Sequence, residues 1–394
     1  MSRPSALTAL AAAALPLLAV LSPTAQAAPA PTAPVAVPVP PPPPLNATSY
    51  ILVDYNTGKV LAAKNPNEKL AMASLTKLLA VYITLSALKS GQLSLNTPVL
   101  ISTAAWRTGG SRMFVNPGTK VTVLNLLKGI IVDSGNDATV ALAQKIGGTR
   151  AGFVSLMNDY ARRLGLHSTH YEDVDGLPVP DHYTTARDLS ELAIDLLRDF
   201  PRYRFIFKIK KFTWDHITQR NRVSLLWTDP SVDGLKTGHT EAAGYCLIAS
   251  ADRKAMRLIS VVLHAPSWDA RLSDSEALLN YGFNNFETEK VVTAGAPVLK
   301  PRVYESAAGY AAVGAARNLY ITVPRSRAAS LQTNAALTQT QLVAPLAAGS
   351  VVGQLTVTDG NGQVVGREPL VTLEAVPAGG LLTRAVDGVR LWFK

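Results

Sequence analysis

The sequence predicts an α/β sandwich, an antiparallel sheet with helices on both faces, followed by a small all-β domain and a C-terminal amphipathic helix. Three observations carry this expectation. Apolar runs near the start, Tyr50 to Asp54 and Lys59 to Ala63, are matched by later runs at Tyr245 to Ser250 and Arg257 to His264, with helix-period segments between them. From about Glu289 the helical period gives way to short alternating runs separated by Gly-containing turns. The final stretch, Gly380 to Lys394, returns to a helical period, now strongly two-faced.

The chain has 394 residues, 47% of them apolar. Single cores stop growing near about 300 residues, so two folded units with appendages are expected. Before Asp54 there is one charged residue, Arg3; it precedes an apolar run from Ala6 to Leu21 and the tripeptide Ala25-Gln26-Ala27. This is the pattern of a secretory signal cut after Ala27. The run falls short of the roughly 20 residues needed to cross a bilayer and is broken by Pro16, which disfavours a permanent span. Ala28 to Pro44 holds nine prolines, five of them consecutive, and reads as an extended spacer.

In the first folded unit, Tyr50–Asp54 and Lys59–Ala63 flank the turn formers Tyr55-Asn56-Thr57-Gly58 and read as a hairpin. A helix is expected from about Ser74 to Lys89, stopped by Ser90-Gly91. Between Thr122 and Gly148, two apolar helical stretches are interrupted by Asp133-Ser134-Gly135-Asn136-Asp137, a polar loop held between packed helices. Another helix covers Thr185 to Asp199; three strands follow around Lys236-Thr237-Gly238, Tyr245–Ser250 and Arg257–His264, and a last helix runs from about Ala270 to Tyr281.

The second unit shows strand runs at Leu319–Val323, Val351–Val357 and Leu370–Leu373, with a turn at Asp359-Gly360-Asn361-Gly362. At roughly 100° per residue, Leu381, Leu382, Ala385, Val386, Val389, Trp392 and Phe393 fall within an arc of about 140°, with Arg384, Asp387, Arg390 and Lys394 opposite. Such a helix either packs on the β domain or lies on a membrane surface, and its aromatic tip and basic face favour the membrane.

The net charge of +10 suits anionic surroundings, but no basic stripe with interleaved aromatics points to nucleic acid. The Lys208–Lys211 cluster reads as a solvated strand end. The lone Cys246 cannot form an internal disulfide and, within an apolar run, is expected to be a small buried hydrophobe. The six histidines are scattered, so neither a metal site nor a cofactor is expected.

Three short motifs carry chemistry. In Ser74-Leu75-Thr76-Lys77 a hydroxyl and an amine three positions apart project from one helix face, and a lysine can serve as base once burial or another cation lowers its pKa. Ser134-Gly135-Asn136 offers a hydroxyl for proton relay and an amide for a peptide. Lys236-Thr237-Gly238 places a cation and a hydroxyl on a strand, where glycine would let a substrate backbone approach the edge. Singly, each is ordinary: a polar helix face, a helix cap, a loop triplet.

In this order the three resemble the signature of the penicillin-interacting serine enzymes, of β-lactamase/transpeptidase-like fold. The flanking stretches Ala73–Lys77, Asp133–Ala138 and Val232–Thr240 are similar to those of the low-molecular-mass penicillin-binding proteins, the D-alanyl-D-alanine carboxypeptidases. The resemblance implies an acyl-enzyme route on peptidoglycan pentapeptides, with β-lactams as inhibitors: Ser74 the nucleophile, Lys77 the general base, Ser134 the proton relay, and Asn136 and Lys236 completing the catalytic group. It further implies substrate binding by Lys236, Thr237, Gly238, His239, Arg271 and Arg222, an oxyanion held by the N–H groups of Ser74 and His239, and Ser111 bordering the site. Asp175 stands where some relatives carry histidine. Rival readings are a D,D-endopeptidase, a β-lactamase using Glu172 to activate water, and a silent wall-binding protein. The implied organisation is a signal peptide over 1–27, a linker over 28–45, a serine D,D-peptidase domain over 46–288, a β-rich domain over 289–378 and an anchoring helix over 379–394. The expected location is the periplasm or the extracytoplasmic face of the inner membrane.

Overall fold

The computed structural model describes Met1 and residues 38–392, so the expected signal peptide and most of the proline-rich spacer lie outside the described residues. The central sheet has five antiparallel strands in the order Val60–Lys64, Ser49–Asp54, Met256–Ala265, Gly244–Arg253 and Val232–Thr240. The N-terminal hairpin thus completes a sheet whose other three strands arrive some 200 residues later, which explains why both sets of apolar runs are needed for one core.

Strand side chains alternate faces, and both faces are covered here. Ile51, Val53, Ile248, Val261 and Leu263 enter the larger core, packed under the helices Lys77–Lys89, Asn136–Gly147, Arg150–Arg163 and Ala186–Asp199. Leu52, Leu247, Ala249, Leu258 and Val262 point the other way and meet Leu278, Leu279 and Phe283 of the helix Trp268–Asn285. Cys246 is fully buried, as expected, and burial pushes its thiol up to about 11. The Trp268–Asn285 helix exceeds the expected span at both ends; Ser267 caps it by accepting from Ala270 N. The helix Arg150–Arg163 has no counterpart in the expected elements. Thr149 caps it, and Phe153, Met157 and Ala161, four residues apart, form its buried stripe.

The chain leaves the last helix directly into the strand Phe286–Val292, which spans the expected 288/289 junction and pairs with Leu319–Pro324. A second five-stranded sheet, in the order Pro297–Leu299, Val313–Ala315, Val364–Thr372, Val351–Thr358 and Gln332–Leu337, shares a separate core containing Val303, Val313, Leu355, Val357 and Leu370. Asp359 shapes the expected turn by accepting from the N–H groups of Asn361 and Gln363. Polar contacts join this unit to the first hairpin: Thr288 Oγ1 donates to Asp54 Oδ2 at 2.7 Å and Lys59 Nζ to Thr322 O at 2.9 Å.

The terminal helix spans Leu381–Trp392 and meets the β domain through its polar side. Asp387 is buried, accepting from Glu305 N at 2.9 Å and Arg302 Nη2 at 3.1 Å. Leu381, Leu382, Val386, Val389 and Trp392 remain exposed. Among the described residues, no helix is long and apolar enough to cross a membrane.

Candidate active site

Ser74 sits in a single 3-10 turn, Ala73–Thr76, that runs straight into the helix Lys77–Lys89. The helical spacing brings Lys77 Nζ to 2.8 Å from Ser74 Oγ, and the amine also donates to the main-chain oxygen of Asp175. Lys77 is completely buried while Ser74 is half-buried at the mouth of the site. Burial lowers the Lys77 pKa to about 8, so about a tenth of the amine is neutral at pH 7, far more than for an exposed lysine.

The polar interruption at Asp133–Asp137 has a specific geometry. The helix Val123–Lys128 widens into a π turn, Gly129–Asp133; Ser134 then adopts a left-handed conformation with φ 61°, and a new helix begins at Asn136. This kink presents the Ser134 hydroxyl from the middle of buried sequence. Asp137 pins the facing segment by accepting from the N–H groups of Met113, Phe114 and Val115. Asn136 donates through Nδ2 to Gly109 O at 2.7 Å and through its N–H to Ser111 O at 2.7 Å, while its Oδ1 is buried without a partner. A buried amide oxygen left without a donor has the capacity to accept one more hydrogen bond.

Lys236 enters from the edge strand of the sheet. Its buried ammonium donates to Ser134 Oγ at 2.9 Å and to Thr237 O at 2.8 Å. Its pKa is lowered by burial and then by the charges of Lys77, Arg222 and Arg271. Each serine therefore has its own lysine, and the two pairs lie close enough for the charge of Lys77 to act on Lys236. At Gly238 a Cβ would lie 2.9 Å from Met72 O and 3.2 Å from Ala73 Cβ. The close approach that requires glycine here is that of the Ser74-bearing turn.

Comparison with known proteins shows the family. A family model described as D-alanyl-D-alanine carboxypeptidase matches residues 36–267, and one described as penicillin-binding protein 5, C-terminal domain, matches residues 286–378. The chain belongs to the D-alanyl-D-alanine carboxypeptidase family. It is 42% identical over 356 residues to the D-alanyl-D-alanine carboxypeptidase DacC of Escherichia coli, covering 89% of each chain. With DacA of the same organism it is 39% identical over 356 residues, covering 89% of this chain and 88% of the other. Penicillin binding protein 5 from Haemophilus influenzae superimposes with a TM-score of 0.78 at 39% identity, over 85% of this chain and 99% of that one. Penicillin binding protein 6B from Escherichia coli gives 0.72 at 35% identity, over 85% and 98%. The protein is accordingly a serine-type D-Ala-D-Ala carboxypeptidase, a hydrolase of β-lactamase/transpeptidase-like fold, carrying the family's C-terminal all-β domain.

The remaining residues expected at this carboxypeptidase site fall into two groups. Thr237 is buried beside Lys236, and the exposed Arg222 lies close enough to Lys77, Lys236 and Asp133 for its charge to act on all three. Arg271 is buried behind the triplet: it donates to Cys246 O at 3.4 Å, opposite Gly238 in the ladder, and lies 4.3 Å from the Trp268 ring centre. The His239 side chain is exposed and stacks on Tyr245 at 4.0 Å. Glu172, the carboxylate a β-lactamase reading would use, lies at the surface 3.6 Å from His170 and is not among the groups acting on Lys77.

The carboxypeptidase site has a wall, the segment from Tyr171 to His182, of which the sequence singled out Asp175 and Glu172 but gave no role to Asp173, Gly176 or His182. Asp173 Oδ2 accepts from the N–H groups of Asp175, Gly176 and Leu177 and folds the segment into a tight turn. His182 Nδ1 accepts from Glu172 N at 3.0 Å and Asp173 N at 3.3 Å, which places the ring proton on Nε2. Nε2 then donates to Thr76 Oγ1 at 2.7 Å, and that hydroxyl to Ala73 O at 2.7 Å. Burial lowers the His182 pKa to about 4, keeping the ring neutral. Gly176, at φ +88°, lies so close that a Cβ would come 1.9 Å from Ala73 O. The segment thereby clamps the Ser74 turn. Its local signal was the turn-forming pair Asp175-Gly176, next to a carboxylate two residues earlier.

Proposed function

We propose that Ser74 is the nucleophile of this carboxypeptidase and Lys77 its general base, acting on the terminal D-Ala-D-Ala of peptidoglycan pentapeptides. The supporting observation is the 2.8 Å contact between Ser74 Oγ and the amine of a completely buried lysine. In its neutral form Lys77 takes the Ser74 proton as Oγ attacks the penultimate D-alanine carbonyl. The oxyanion develops between the N–H groups of Ser74, at the head of a helix, and His239, on the edge strand; losing one such donor typically costs about 3 kcal/mol of barrier. Ser134, bridged to Lys236, relays a proton to the departing D-alanine amine, and its terminal carboxylate is held by Lys236, Thr237 and Arg222. Arg271 acts from behind, fixing the strand opposite Gly238. Asn136 Oδ1 receives a peptide N–H. Water then releases the shortened peptide.

The same serine is acylated by penicillins. The chain acts outside the cytoplasm, exported by a signal peptide over 1–27 with a spacer over 28–45. A D,D-peptidase domain follows over 46–288, then a β-rich domain over 289–378. The 379–394 helix lies on the membrane surface; supporting this, its polar side docks on the β domain while Leu381, Leu382, Val389 and Trp392 face outward. Incubating the chain with a fluorescent penicillin and with a D-Ala-D-Ala pentapeptide tests the chemistry. Covalent labelling and free D-alanine are expected; labelling that persists in Ser74→Ala, or cleavage confined to cross-linked dimers, would overturn the proposal.

A further inference from the structure

The Asp173–Asp175 pair is not used by the mechanism above, yet it lies against the base. Asp173 is fully satisfied as an anion: Oδ2 accepts from three backbone N–H groups and Oδ1 from Arg150 Nη2 at 2.5 Å. Asp175 is not. Its side chain has no exposed surface, Oδ1 accepts a long contact from Leu177 N at 3.3 Å, and Oδ2 is buried without a hydrogen-bond partner among the described residues. Arg150 Nη2 stands 3.6 Å from that oxygen, beyond hydrogen-bond length, with its own bond made to Asp173. Both carboxyl groups thus face the same Arg150 nitrogen, 2.5 Å from Asp173 Oδ1 and 3.6 Å from Asp175 Oδ2, which gathers them at one end of the same turn. Two carboxyls can hydrogen-bond to each other only when one carries a proton, and the oxygen left without a donor is where that proton belongs.

We infer that Asp175 is the protonated member of a proton-sharing pair with Asp173, and that this pair is a positioning device which sets the charge on Lys77. The inference rests on the reading of Lys77 as the base. Its geometric basis is the main-chain oxygen of Asp175, which receives the Lys77 amine and ties the carboxyl pair to the lysine. The charged groups around the pair are Lys77 from the helix below, Arg150 from the neighbouring helix, and His182, held neutral, from the end of the same segment; Lys77 also feels Arg222 and Asp137. Burial first, and then contact with Asp173, raise the Asp175 carboxyl to about 7. Burial opposes ionisation of Asp173 too, but the bonds from Asp175 and Arg150 outweigh it and hold that carboxyl below the usual carboxylate range.

The consequence is directional. While Asp175 is protonated, the pair carries one negative charge, on Asp173, and Lys77 meets only the carbonyl dipole of Asp175 itself. Once Asp175 ionises, a carboxylate stands beside the ammonium and favours its charged, non-basic form. The two groups then titrate together, and the lysine becomes a base at a higher pH than it would beside a permanently neutral group. Asp175→Asn supplies such a group with nearly the same shape, its amide donating to Asp173.

The test is the pH dependence of acylation of the full chain by a fluorescent penicillin. In Asp175→Asn the acid limb is expected to move to lower pH by about one unit, roughly a tenfold faster acylation on that limb. A superimposable profile, or a shift to higher pH, would overturn the inference. A second measurement needs no functioning variant: at about pH 6 the wild-type infrared spectrum should contain the carbonyl stretch of a buried protonated acid that fades as pH rises through about 7. Subtracting the Asp175→Asn spectrum separates this band from that of Asp133, and its absence overturns the pair. In Lys77→Ala the acid limb should vanish. If it survives, the base assignment falls, and the infrared band alone then decides whether the proton-sharing pair exists.

Discussion

The terminal helix allows a quantitative test, because it exposes what a soluble helix would hide. Leu381 and Leu382 are 85% and 81% exposed, while Asp387 on the other side is buried against Glu305 N. Burying a leucine side chain fully is worth about 1.5–3 kcal/mol, and a helix lying at the headgroup boundary immerses it only in part, so each contributes roughly 1 kcal/mol to membrane binding. The double substitution Leu381→Ser, Leu382→Ser should therefore weaken binding by about 2 kcal/mol, close to thirtyfold. Co-sedimentation of the full chain with anionic vesicles at fixed salt measures the partition directly. Release of D-alanine from a soluble pentapeptide should be unchanged, since the helix contacts the β domain and none of the groups around Ser74. Undiminished sedimentation of the double variant, or of a chain ending at Gly379, would refute membrane docking by this face.

Ser74→Ala should abolish covalent penicillin labelling and lower peptide turnover by roughly 10⁴-fold or more, read by mass spectrometry and D-alanine release. Because the neutral amine of Lys77 is the base and burial places its pKa at about 8, acylation should rise with pH and level off above about 8; a profile flat between about 6 and 8 would contradict the assignment. Gly176→Ala puts a methyl group into Ala73 O at a left-handed backbone position, costing at least about 1–2 kcal/mol before the clash is relieved. Both the melting temperature and the acylation rate should fall, and wild-type values for both would show that the clamp on the Ser74 turn is dispensable. Asp133 is buried with Oδ1 unpartnered, and burial, only partly offset by Arg222, raises its carboxyl to about 7. A carboxyl raised in the folded state loses stability as pH climbs from its unfolded pKa to its folded one. Asp133→Asn should thus stabilise by about 2 kcal/mol above pH 7, after allowing for partial solvent access, and by little near pH 4. A gain independent of pH in thermal melts would rule this out.

How far the sequence could be read depended on whether a signal was local. Short continuous apolar runs such as Ile51–Val53 and Leu247–Ala249, bounded by turn formers, identified strands because every position is apolar where a sheet is covered on both faces. The interruption at Asp133–Asp137 was legible as an equally local signal, although its π turn and left-handed Ser134 were not, since turn formers announce a break and not its shape. The helix Arg150–Arg163 was passed over because Arg150, Asp159, Arg162 and Arg163 dilute its apolar stripe. Its N-terminal Arg150 nevertheless supplies the cation that binds Asp173.

The wall at Asp173–His182 marks where local reading ends and why that matters for the chemistry. Ser-x-x-Lys at a helix start brings hydroxyl and amine together almost automatically, as the 2.8 Å contact shows, and that proximity alone would leave a solvated lysine that is protonated near neutral pH and useless as a base. Lys77 differs because its amine is sealed from water by partners far along the chain: Asp175 O lies 98 residues away, and the His182–Thr76 bond that holds this wall closed spans 106. No pattern within a helical window records those contacts. The residues that make Ser74 reactive are thus more distant in sequence than those that identify it, and a variant in the 173–182 segment can silence the site with all three motifs intact.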